Sequence, residues 1–183
     1  MTALRICMVT TFYPPFNLGG DGIAVQRLSR ALVQAGHEVT VIHDTDAYNA
    51  LRRGPPLEAP PEGDDQGVRV IRLRSRLRAL APLLVQQFGR PVSHRTQLRH
   101  LLANGGWDVV HFHNVSLMGA PAILAYPSNA VTLYTAHEHW LVCPTHVLWR
   151  HRREPCDHRE CFRCVLRHHR PPQAWRYTGA LQR

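Results

Sequence analysis

The sequence predicts an α/β protein: a doubly wound, mostly parallel sheet followed by a Cys/His-rich C-terminal segment. Three observations predict it. Short apolar runs of buried-strand length recur, separated by helix-periodic or loop segments. The first two runs bracket one amphipathic stretch, so a strand, a helix and a strand fill about 40 residues, which is a βαβ unit. After Thr135 the strand pattern stops, and residues 137–169 hold seven histidines and four of the five cysteines.

The elements follow in order. Leu4–Thr10 is an apolar run of strand type, and Thr11–Gly20 is a loop. Asp21 is placed to cap a helix in which Ala24, Leu28, Ala31, Leu32 and Ala35 recur at i, i+4, i+7, i+8 and i+11. Gly36 closes that helix, and Glu38–His43 is the second strand. Residues 45–67 carry Pro55, Pro56, Pro60 and Pro61 among acidic residues and read as a surface loop. Val68–Leu73 is a third strand near a sheet edge. Residues 77–104 are mostly helical, with breaks at Pro82 and Pro91. Asp108–Phe112 is the fourth strand, 117–125 a short helix, and Ala130–Thr135 the fifth strand. Residues 1–137 thus form a Rossmann-like domain. Residues 138–172 form the Cys/His-rich insert, and 173–183 begin a helix that ends without a cap, as a truncated helix would.

Composition narrows the function. With 183 residues, 44% hydrophobic and 19% charged, the chain is one ordinary domain, or one domain with a small appendage, rather than a disordered tail. No apolar run approaches the roughly 20 residues that span a bilayer, and the N-terminus lacks a secretory pattern. The expected location is the cytoplasm, at the inner face of the membrane if the partner is a lipid. The formal net charge is +9, and every basic residue is Arg. Without Lys there is no Schiff-base lysine and no Walker-type lysine. The charge suits an anionic partner: a phosphate, an acidic glycolipid or a membrane surface. The arginines are scattered through 69–99 and 150–176 with no recognisable nucleic-acid motif, which argues against nucleic acid.

In open α/β sheets, ligands bind beyond the carboxyl ends of the strands. Those ends carry Thr11–Gly22, His43 and Asp44, then His111, His113 and Asn114, and finally His137, Glu138 and His139. Gly19 and Gly20 precede a helix start, where backbone N–H groups approach an anion closely. Otherwise they only shape the loop. A dinucleotide fingerprint fails, because Gly20 and Gly22 would need a third glycine where Val25 stands, so Asp44 is discounted as a ribose-binding acid. Of His111 and His113, one is expected to face inward, and His113 is the one nearer the crevice. His137 is either a core histidine or a site residue.

Thr10-Thr11-Phe12-Tyr13-Pro14-Pro15, Gly19-Gly20, Ala35-Gly36-His37-Glu38-Val39, Asp108-Val109-Val110-His111-Phe112-His113 and Thr135-Ala136-His137-Glu138 stand in a fixed order. Together they resemble the N-terminal domain of family 4 GT-B glycosyltransferases over about residues 4–145. The resemblance implies one half of a GT-B fold and a retaining transfer from an NDP-sugar to an acceptor hydroxyl, with no catalytic cofactor. It implies that this half binds the acceptor, a glycan or glycolipid, with Gly19 and Gly20 beside the donor diphosphate and His137 near the transferred sugar. It also implies a missing C-terminal donor-binding domain, so the chain alone is expected to be inactive.

Cys143, Cys156, Cys161 and Cys164 have the spacing C-x12-C-x4-C-x2-C. Four thiols ending in Cys-x-x-Cys suit a tetrahedral structural zinc site, and zinc is the favoured reading over free thiols or redox pairs. His146, His158 and His168 are substitute ligands. The pattern also resembles a Cys-containing insert of some family 4 glycosyltransferases, after His137-Glu138-His139-Trp140-Leu141-Val142-Cys143-Pro144. Cys7, in the first strand, reads as inert core. A second reading of the whole chain is a non-catalytic, zinc-stapled basic module that binds nucleic acid or protein.

Overall fold

The computed structural model describes residues 2–126 and 128–177. A six-stranded sheet is built from β1 (Arg5–Val9), β2 (Glu38–Asp44), β3 (Glu62–Asp65), β4 (Val68–Leu73), β5 (Val109–Phe112) and β6 (Val131–Tyr134). The spatial order is β3-β4-β2-β1-β5-β6. All neighbours are parallel except β3, which runs antiparallel to β4. The chain builds outward from β1 in one direction and then returns to add β5 on its other side. A crevice at the carboxyl edge between β1 and β5 is the consequence of that reversal.

Alternation along the strands divides the core into two layers. Cys7, Val9, Ile42, Leu73, Val110 and Phe112 face one side, where they meet Leu98, Leu102, Met118 and Ile123. Ile6, Met8, Val39, Val41, Val68 and Val70 face the other and meet Val25. Burial on both faces explains why these strands read as continuous apolar runs. Each fully buried Val, Leu or Ile side chain contributes about 1.5–3 kcal/mol. Leu98 and Leu102 come from α4 (Arg95–Asn104), and Val25 from α1 (Gly20–Gln34).

Helix α1 is present, but not with the expected face. Gly22, Val25 and Ser29 are buried, whereas Ala24, Leu28 and Ala31 are exposed. The close approach at Gly22 selects this face. A Cβ there would lie 2.2 Å from Asn17 Oδ1 and 2.8 Å from the Phe12 carbonyl. Asp21 is not the cap. Gly19 is, in extended conformation, and Asp21 sits in the first turn, where a carboxylate suits the helix dipole.

Residues 45–67 hold more order than a surface loop. Asp44 Oδ1 accepts from the Asp46 N–H (2.7 Å) and the Ala47 N–H (3.3 Å), starting α2 (Thr45–Leu51). Strand β3 then covers the edge of β4. Its Asp65 accepts from Tyr13 Oη (2.8 Å), Gln26 Nε2 (2.9 Å) and the Arg30 guanidinium. Pro82 does not break the following helix, α3 (Leu80–Phe88), because it occupies the first turn, where no N–H is needed. Pro91 does fall between α3 and α4. Residues 121–125 form a 3-10 turn. On β6, Val131 and Leu133 remain 63% and 46% exposed, so that end of the sheet is uncovered on one face.

The insert is a small hairpin, β7 (Trp149–Arg150) with β8 (Glu154–Pro155), followed by α5 (Cys161–Arg167). It is fastened by Trp140, which is buried in the first core layer. Arg176 donates to the carbonyls of Trp140 and Leu141. Of the helix expected over 173–183, Ala174–Arg176 form one 3-10 turn, and 178–183 lie outside the described residues.

Candidate active site

The carboxyl ends of β1, β5 and β6 are tied together by backbone bonds. His113 N donates to the Val9 carbonyl (2.9 Å), Thr11 N to that of Asn114 (2.6 Å) and Thr135 N to that of Phe112 (2.9 Å). Above them lies a cavity of about 770 Å³ whose lining includes Gly19, Gly20, Asn114, His137, Glu138 and Arg170. Gly19 and Gly20 therefore share one concavity with His137, 117 positions away in sequence. A Cβ at Gly20 would meet nothing within 4 Å, so the glycine backbone is open there.

His113 is not in the lining. It is buried and stands behind His137, with His113 Nδ1 2.9 Å from His137 Nε2. One hydrogen is shared between these two nitrogens. Burial, reinforced by neighbouring His111 and His137, pushes His113 down to about 3, so it is neutral at physiological pH. His113 is the inward one of the pair His111 and His113, being buried where His111 is only partly so. Positions i and i+2 of a strand share a face, and their rings stack with centroids 4.1 Å apart. His111 Nε2 reaches Thr135 Oγ1 at 2.8 Å.

A second network frames the cavity. Asn114 Nδ2 donates to Asp21 Oδ2 (3.1 Å) and to Glu138 Oε1 (2.8 Å), bridging the start of α1 to the segment after β6. His146 Nδ1 lies 2.9 Å from the same Glu138 oxygen. Burial raises the Glu138 carboxyl, but His146, Asn114 and the charge of Arg170 outweigh it and hold it below the usual range. Sequence reasoning placed Asn114 and Glu138 at strand ends without giving them a role. His146 and Arg170 come from the insert, and no spacing signal connects them to the crevice.

Asp44 does not approach the cavity. It is fully buried at the α2 cap, and burial pushes it up to about 7. With Asp46 and His94 it forms an internal cluster, His94 Nε2 lying 3.9 Å from Asp44 Oδ2 and 3.7 Å from Asp46 Oδ2.

The four cysteines of the insert line a separate cavity of about 240 Å³. Cys143 and Cys164 are buried, Cys156 is exposed, and none of the chain's five cysteines is in a disulfide. His158 also lines that cavity, while His146 is turned to Glu138 and His168 Nε2 to the Trp149 carbonyl (2.9 Å). A cavity of about 780 Å³ between insert and tail is lined by none of Gly19, Gly20, His113 and His137.

Fold and crevice together define a Rossmann-like domain with a cavity at its carboxyl edge, the place where open α/β sheets bind ligands. Residues 18–177 match Glycosyltransferase Family 4, and the chain belongs to that family. Over 70 residues it is 40% identical to a glycogen synthase of Mycobacterium tuberculosis (strain ATCC 25618 / H37Rv), covering 37% of this chain and 16% of that protein. Over 155 residues it is 23% identical to an "Uncharacterized 42.6 kDa protein in cps region" of Klebsiella pneumoniae, covering 82% of this chain and 41% of the relative. The chain thus spans less than half the length of these curated relatives. Among the described residues, no helix is long and apolar enough to cross a membrane.

Proposed function

We propose that this chain is the acceptor-binding half of a retaining glycosyltransferase, which transfers a sugar from an NDP-sugar to an acceptor hydroxyl only when joined to a donor-binding domain. The observation that carries the reading is the convergence of Gly19, Gly20 and His137 on one crevice in a family 4 chain. In the reaction, the bond from the anomeric carbon to the diphosphate oxygen breaks and a bond to the acceptor oxygen forms. The acceptor proton leaves with the nucleoside diphosphate.

Each residue has a physical task in this scheme. The open backbone at Gly19 and Gly20, at the start of α1, brings N–H donors and the positive helix end to the diphosphate. His137 contacts the transferred sugar, and neutral His113 holds the imidazole from behind. Asn114 keeps Asp21 and Glu138 in the walls, where carboxylates accept from sugar hydroxyls. The described residues form one wall, and positioning of two substrates between two walls supplies much of the rate, so transfer is expected when a donor-binding domain faces this crevice. The net charge of +9 suits an acceptor bearing phosphate or another acid, such as a glycolipid.

The test is His137→Ala in the enzyme that contains this segment. Transfer should fall by roughly 100-fold, on the order of 3 kcal/mol of transition-state stabilisation, with the fold retained. Unchanged transfer with lowered stability would make His137 a core residue and end the proposal.

A further inference from the structure

The cysteine-lined cavity is outside the crevice and has no part in the scheme above. We propose that Cys143, Cys156, Cys161 and Cys164 bind one structural zinc ion that fastens the insert beside the crevice wall.

Four features of the molecule carry this. First, thiols far apart in sequence line one small cavity, from the loop after β6, the segment after the hairpin and the first turn of α5. Cys161 and Cys164 lie at i and i+3 of α5, neighbouring positions on a helix.

Second, polar groups of the insert meet two of the sulfurs. His151 N donates to Cys164 Sγ at 3.3 Å. Cys143 Sγ lies 3.2 Å from Thr145 Oγ1.

Third, the surroundings complement the charge such a site would have. Zinc binding to four thiols releases four protons to solvent and leaves a centre of net charge −2. Arg150 and Arg159 line the cavity. The Nε of Arg150 is buried without a hydrogen-bond partner. Glu160, the one lining carboxylate besides Asp157, is held by His151 Nε2 at 2.8 Å.

Fourth, the insert has little core of its own to hold it. Val147, Trp149, Phe162 and Leu166 are exposed. A metal supplies the cross-link that such a segment lacks.

The sulfurs ring the cavity more widely than zinc ligands sit. Among the described residues, only Asp44, Asp46 and His94 already place three ligand atoms within 4.8 Å of one another. Zinc therefore contracts the ring as it binds and tightens residues 143–168. Because His146 lies within that segment and Arg170 just after it, both in the crevice lining, the ion also sets the position of those two side chains.

The reduced chain, freed of metal, is titrated with zinc and separately with cobalt, with metal content, absorption and thermal unfolding measured. The expected result is about one equivalent bound, thiolate-to-cobalt charge transfer with the visible bands of a tetrahedral site, and a raised unfolding temperature. Cys161→Ser/Cys164→Ser should lose the binding and the stabilisation. Absence of binding by the reduced chain would overturn the proposal. So would binding retained in that double variant, or an octahedral cobalt spectrum abolished by Asp46→Asn, which would move the metal to the buried Asp44–Asp46–His94 cluster. A freshly isolated chain lighter by two hydrogens per cysteine pair, and still unable to take zinc once reduced, would overturn it in favour of disulfides. If the double variant does not fold, the cobalt spectrum of the unaltered chain decides alone.

Discussion

Gly20 and Gly22 differ by two positions, and the structure assigns them opposite roles. Replacing Gly22 by Ala puts a Cβ 2.8 Å from the Phe12 backbone carbonyl, which has to move, and 2.2 Å from Asn17 Oδ1. Displacing Asn17 also disturbs the bond from its Nδ2 to the Gly19 carbonyl (2.6 Å). Overpacking of this kind costs about 1–3 kcal/mol, and a lost hydrogen bond about 1 kcal/mol. Against that stands a gain of roughly 0.5–1 kcal/mol, because Ala is the better helix residue. The net expectation for Gly22→Ala is about 1–3 kcal/mol of destabilisation, or a drop in Tm of roughly 2–10 °C at this chain length. At Gly20 a Cβ meets no protein atom, so only the gain remains, and Gly20→Ala should be as stable as the parent or slightly more so. The space it fills belongs to the crevice. Urea unfolding of both variants is the assay. Equal stability of Gly22→Ala and the parent would refute the close-approach argument. Loss of more than about 1 kcal/mol in Gly20→Ala would refute its openness to the cavity.

Two other expectations concern stability. His43 and His113 are buried, and burial pushes both down to about 3, so each stays neutral in the fold while the unfolded chain takes up a proton near its ordinary value. Stability should therefore be full above about pH 6.5 and fall as pH drops from there toward 3, by up to about 1.4 kcal/mol per pH unit per histidine. His113→Asn should reduce the slope of stability against pH measured between pH 7 and 5, and an unchanged slope would contradict a buried neutral His113. Asp65→Asn removes the acceptor that holds Tyr13, Gln26 and Arg30 to β3, and should lower stability by about 1–3 kcal/mol with faster amide exchange at residues 62–65. Exchange unchanged there would show that β3 is held by its ladder to β4 alone.

Strands β1 and β2 were legible because they are buried on both faces and so form continuous apolar runs, whereas β4, β5 and β6 were legible from short β-branched and aromatic runs although part of each is exposed. The face of α1 was not, because Gly22 rather than a large apolar residue defines it, and a close backbone approach leaves no hydrophobic mark in sequence. Strand β3 was hidden among prolines and acids: Glu62-Gly63-Asp64-Asp65 has no apolar pattern, and its place at the edge depends on Tyr13, Gln26 and Arg30 from other elements. In the crevice, the rule that ligands gather at strand ends pointed to Gly19, Gly20 and His137. It could not separate His137 in the lining from His113 behind it, since that depends on which face of β5 the histidines share. His146 and Arg170 were out of reach, because only the folding of the insert brings them to the same cavity.

The claim at the centre of this account is that the carboxyl-edge crevice is where the substrate is held. Backbone amide and histidine ring NMR signals of the chain, followed while a nucleoside diphosphate is added, test it most directly. The account predicts that the largest shifts fall on Gly19, Gly20 and His137, with smaller ones relayed to His113 through the shared hydrogen bond. Shifts confined to the arginines of 69–99 and 150–170, with Gly19, Gly20 and His137 unmoved, would contradict it.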